Sequence, residues 1–118
     1  MNTKNPYEHL KIDCLADVEP VEAQSTWTVT EGREETVKIL TSLLPDGMWV
    51  FGYSVFWANG RSSFRKPAAE LGLFRAQRDA KLYAIGFMLI YLNYFLEQTR
   101  IDIRRGEAAL IQTKLFNL

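Results

Sequence analysis

The dipeptide Asn59-Gly60 lies between two runs of aromatic and β-branched residues, and it constrains this chain more than any other feature. A two-residue type I′ turn needs positive φ at both central positions, which Asn and Gly tolerate best, so the pair predicts a β-hairpin. Trp49, Phe51, Tyr53, Val55 and Trp57 recur at period two ahead of it and share one strand face. A two-residue loop pairs Ala58 with Arg61, Phe56 with Ser63 and Val55 with Phe64. Phe64 then joins Tyr53 and Trp57 on the apolar face, while Arg61, Ser63 and Arg65 join Ser54 and Phe56 on the other. The apolar stripe reads as core, with a ligand-stacking platform as its alternative. Pro67 ends the second strand, and Leu71-Gly72-Leu73-Phe74 suggests a short third one.

A long helix is expected next, from Gln77 to Gln98, weakly capped because Ala76 stands where a capping box needs Ser or Thr. Leu82 to Leu96 is apolar except at Gly86 and Asn93, yet shorter than the ~20 residues of a membrane span, so a buried helix is expected. One sheet face does not bury so much apolar surface. The surplus points to a homodimer through Leu82–Leu96, or to cover from other elements of the chain. Upstream, Thr26 to Thr30 alternates as a strand, and Arg33 to Leu44 reads as a helix. In that reading Glu34 and Glu35 occupy the first turn, and Val37, Leu40 and Leu44 share a face. Pro45-Asp46-Gly47 ends this element, and Thr99 to Asp102 resembles the start of a last helix, with Gly106 against it. The expected fold is α+β: one domain over residues 1–118, a small antiparallel sheet packed on a long apolar helix, with residues 1–25 an acidic and partly mobile segment.

Hydrophobic residues make up 47% and charged residues 24% of the 118, the balance of a soluble globular domain. Net charge is zero, so attraction to nucleic acid has to come from a local patch. Met1 to Glu35 holds eight acids against three bases, about −5, and Arg61 to Lys81 holds six bases against two acids, about +4. The single cysteine, Cys14, excludes an intramolecular disulfide and fits a reducing, cytoplasmic setting, and the first residues lack the apolar run of a signal peptide. Catalytic sets are thin. His9 is the only histidine, Cys14 has no activating neighbour in sequence, and the Asp13/Asp17 pair reads as a solvated acidic face. No phosphate loop or dinucleotide fingerprint occurs around Gly47 or Gly52, and Gly52 and Gly86 read as points of close packing. No catalytic residue, cofactor or metal is expected.

The basic residues Arg61, Arg65, Lys66, Arg75, Arg78 and Lys81, with Ser63 between them, form the candidate nucleic-acid surface. A sheet can enter a major groove, where arginine reads guanine and other bases meet phosphate. Trp49-Val50, Tyr53-Ser54-Val55, Asn59-Gly60-Arg61, Leu71 to Phe74 and Asp79 to Ala84 together resemble AP2 and integrase arm-type DNA-binding modules over about half the chain. The resemblance implies a three-stranded sheet that reads DNA with a helix behind it, although Ala76 stands where those modules carry Thr or Ser. The layout is also similar to double-stranded-RNA-binding domains, without their lysine cluster. The functional expectation is a non-catalytic binding module with nucleic acid as partner. The alternatives are a protein-interaction or assembly subunit and, third, a small-molecule-binding protein or enzyme.

Overall fold

A computed structural model describes residues 4–13 and 18–116, with side chains to residue 112. Cys14 and Asp17 lie outside the described residues. Four antiparallel strands run in sequence order across one sheet: β1 (Ser25–Glu31), β2 (Thr36–Leu43), β3 (Trp49–Phe56) and β4 (Ser62–Arg65). Two helices, α1 (Gln77–Ile90) and α2 (Glu97–Phe116), pack on one face of it, giving a single α+β domain.

Residues 33–44 are not a helix. They form a turn closed by Gly32 N–H donating to Glu35 O at 2.9 Å, followed by the central strand β2. The i, i+3, i+7 spacing of Val37, Leu40 and Leu44 fits a helix. Thr36, Val37, Ile39 and Thr41, however, are β-branched and pack best on a pleated surface. Val37, Ile39 and Thr41 point toward the helices, and Leu40 and Ser42 are buried on the reverse side, so β2 is covered on both faces.

The β3–β4 hairpin also departs from its expected register. Gly60 alone takes positive φ, at +88°, and Asn59 does not, which excludes a type I′ turn. Gly60 N–H donates to Trp57 O at 3.0 Å and Trp57 N–H to Arg61 O at 2.8 Å. This is a three-residue loop, Ala58-Asn59-Gly60, with glycine in the bulge position. Asn59 still has a local role, since its Oδ1 accepts from Arg61 N–H at 2.9 Å. Val55 therefore pairs with Ser63 and Ser54 with Phe64. A shift of one residue exchanges the faces. Phe64 lies outside and is 61% exposed beside Phe56 at 48%, while Arg61, Ser63 and Arg65 fall on the side of the helices.

The apolar stripe of β3 is core, as expected: Phe51 and Val55 are buried, and Trp49, Tyr53 and Trp57 pack against the same cluster. Gly52 marks a close approach of backbone. A Cβ there would lie 2.2 Å from Arg65 O and 2.6 Å from Pro67 N, because the chain leaving β4 crosses over β3. Leu71–Phe74 adds no full strand, but Phe74 and Trp49 form an isolated bridge, as do Ile12 and Leu73.

The helix expected to reach Gln98 ends at Ile90; a 3-10 turn, Leu92–Tyr94, follows before α2 starts at Glu97. The apolar surplus that suggested a homodimer is largely met inside the chain. Leu82, Ala84, Ile85 and Met88 are buried, and the N-terminal segment lies on the remaining side. There Asn5 Nδ2 donates to Tyr83 O at 2.8 Å over Gly86, and Tyr7 Oη donates to the carboxylate of Glu107 on α2. Burial, then the Glu107 contact, pushes the Tyr7 hydroxyl up to about 12. Among the described residues no helix is long and apolar enough to cross a membrane.

Two outcomes test this packing. Gly52→Ala forces its methyl group into backbone that has no room to give and should cost roughly 1–3 kcal/mol in chemical denaturation. Gly32→Ala, whose Cβ would meet nothing closer than 3.5 Å, should cost far less. Tyr7 is protonated more tightly in the folded state than in the unfolded chain. Its contribution is therefore complete below pH ~10 and lost as pH rises toward 12. Burial also raises the Tyr83 hydroxyl, so absorbance titration should show late tyrosines, and Tyr7→Phe should remove the component near 12 and flatten the alkaline fall in stability.

Candidate functional site

The break between the helices opens a groove. Residues 91–96, Tyr-Leu-Asn-Tyr-Phe-Leu, leave α1 by way of Tyr91 (φ −102°, ψ 22°) and reach extended backbone at Phe95. Phe95 turns inward and stacks on Trp57, ring centroids 5.8 Å apart and planes at 25°. Tyr91 and Tyr94 turn outward, 43% and 73% exposed.

One carboxylate fixes this arrangement. Glu35, 3% exposed, accepts from Ala58 N–H at 3.1 Å through Oε2 and from Leu96 N–H at 2.9 Å through Oε1. It thus ties the β3–β4 loop to the residue preceding α2, and its negative charge sits at that helix's N-terminus, where the dipole favours it.

The walls are built from four parts of the chain. β3 and the residue after it supply Tyr53, Val55 and Trp57, β4 supplies Ser63, α1 supplies Phe87 and Met88, and the interhelical link supplies Tyr91, Tyr94 and Phe95. They enclose a cavity of about 190 Å³ open to solvent. Tyr53 stacks on Phe87 at 6.0 Å, and Phe87 continues to Tyr91 and Tyr91 to Tyr94, a ladder that runs from core to surface. Trp57 and Tyr94 also bound a second cavity of about 200 Å³, completed by Asn59 and Arg61 of the hairpin loop. The indole N–H of Trp57 is enclosed and has no acceptor among the described residues.

The expected basic face is not assembled. On the outer face of the sheet the strand residues include Thr26, Thr28, Ser54, Phe56 and Phe64, with Lys38 the one basic strand residue among those described. Arg65 pairs with Glu70, and Lys66 with Glu22 of the acidic N-terminal segment. Arg78 donates through Nε to Leu110 O at 3.0 Å, and Lys81 lies 5.7 Å over the ring of Trp27. Arg75 borders a separate small cavity with His9, Leu10, Ile12 and Asp79. Arg61 and Ser63 are the two expected site residues that meet the groove.

Sequence reasoning missed Tyr91, Tyr94 and Phe95 because they were counted as helix. The signal was present: three aromatics crowd into five residues around Asn93, a poor helix former, and next to a polar segment. Among the described residues no group of three His, Cys, Asp or Glu side chains gathers as a metal would need. No protein-family model, curated protein or solved structure matches this chain.

Replacing Glu35 tests what holds the groove. Glu35→Ala strands two N–H groups that now donate to a charged acceptor and should cost roughly 1.5–3 kcal/mol by chemical denaturation. Glu35→Gln keeps one acceptor and should cost less. Amide exchange at Ala58 and Leu96 should accelerate in both variants, and more in the alanine one.

Proposed function

We propose that this chain is a non-catalytic binding module whose working surface is the aromatic groove between the β3–β4 hairpin and the interhelical link. The observation that carries this reading is the exposure of Tyr91 and Tyr94 at the end of a stacked ladder, over a cavity lined almost wholly by apolar groups. Contiguous exposed apolar patches commonly mark interaction sites, and concave apolar sites with a few polar groups at the rim are where ligands bind. Ser63 Oγ and the tyrosine hydroxyls are the polar groups within reach, a set suited to orienting a guest.

Nucleic acid, the partner expected from the basic residues, would meet Arg61 at the mouth of the groove instead of a basic sheet face. Ion pairing of Arg65 and Lys66 to Glu70 and Glu22 lowers the local field that favoured it.

Binding of the uncharged fluorophore N-phenyl-1-naphthylamine tests the groove. It should bind with blue-shifted emission, and Tyr94→Ala, a truncation of a largely exposed ring, should weaken it at least about fivefold with little effect on folding, as exposed substitutions generally do. Ser63→Phe, which fills the cavity from the β4 side, should weaken it further. An affinity unchanged in both variants would overturn the groove as the working surface. Duplex DNA and double-stranded RNA, titrated in parallel, should show no binding sensitive to Tyr94. Salt-dependent binding lost in Arg61→Ala would return nucleic acid to the front.

A further inference from the structure

The two cavities that share Trp57 and Tyr94 differ in chemistry. The inner one is almost wholly apolar, whereas the outer one is bounded by Arg61, the only cationic side chain among the described residues that line either. No acid lines either cavity, although acids neutralise bases elsewhere on this surface. We propose that the groove takes a small aromatic anion, its ring system between Tyr94, Trp57 and Phe87 and its carboxylate, sulfonate or phosphate against the guanidinium of Arg61. This rests on the groove being the working surface and names the class of ligand it selects.

Three features of the site carry the assignment. First, among the described residues Arg61 makes no hydrogen bond or ion pair through its side chain, so its fork of donors is open to a planar anion, and a low-dielectric wall of rings beside it strengthens the contact. Second, the backbone presents Arg61 in one place. The Gly60 bulge and the Asn59 side chain acting on Arg61 N–H hold the loop, and Glu35 holds the loop's Ala58. Third, Trp57 lines both cavities, and its indole N–H, enclosed behind that shared wall, has no acceptor among the described residues. Buried donors left unpaired are rare, and an anion lodged between Trp57 and Arg61 would supply the missing acceptor once the indole turns slightly toward it.

A matched pair of probes separates the charge from the groove. 8-Anilinonaphthalene-1-sulfonate is N-phenyl-1-naphthylamine with an added sulfonate. Both should bind the whole chain. Arg61→Gln should weaken the sulfonate at least about fivefold and leave the neutral probe within twofold, and 0.5 M salt should reproduce that difference in the unaltered protein. Arg75→Gln, an exposed arginine away from the groove, should change neither. Trp57→Phe keeps an aromatic wall but removes the donor and should reduce the sulfonate's affinity more than the neutral probe's. If Arg61→Gln leaves both affinities unchanged, or the neutral probe binds and the sulfonate does not, the anion assignment falls while the groove reading stands. If neither probe binds, both fall.

Discussion

The carboxylate of Glu35 is the constraint on which the rest of the site depends. It is buried, it carries charge, and it accepts from two backbone N–H groups that belong to elements distant in sequence. A buried carboxylate is costly unless its lone pairs are met, so each partner must stay where the other element puts it. The β1–β2 turn that presents Glu35 therefore positions the hairpin loop and the start of α2 together. Without that link, the hairpin loop and the residue before α2 would lose the acceptor they share.

Aromatic contacts then turn the break into a surface. Phe95 is anchored by stacking on Trp57, which leaves its neighbours Tyr91 and Tyr94 no place in the core. Tyr53 and Phe87 connect the exposed rings to buried ones, so the groove is an extension of the packed interior. Rigid rings lose little freedom when a guest arrives, since each has only two side-chain torsions to fix.

How far the sequence revealed this follows from the periods involved. The period-two stripe from Trp49 to Trp57 and the strand at Thr26–Thr30 were legible because alternation has one structural meaning. β2 was not, because Val37, Leu40 and Leu44 satisfy a helical spacing while Val37 and Ile39 satisfy a strand one, and the β-branched composition decides between them. Asn59-Gly60 located the turn correctly but not its type. The three-residue loop uses only Gly60 at positive φ, and that one residue reversed the orientation of Arg61, Ser63 and Arg65. Charge summed along the chain was equally blind to topology: Lys66 meets Glu22 across 44 positions of sequence. The groove was the least legible part, because it is made where a helix stops and is walled by residues of β3, β4 and the link, which are distant in sequence.

The crossing of the chain over Gly52 has a consequence for how the protein behaves among copies of itself. Because residues 65–67 leave the sheet there, β4 is only four residues long, and Pro67 follows with no N–H to offer. A free edge this short is a poor template for another strand. At the opposite edge the extra residue Val29 interrupts the ladder of β1 between Thr28 and Thr30. Both margins of the sheet are thus blunted, and Phe56 and Phe64, which lie open on its outer face, are not flanked by a long hydrogen-bonding edge from which aggregation could grow.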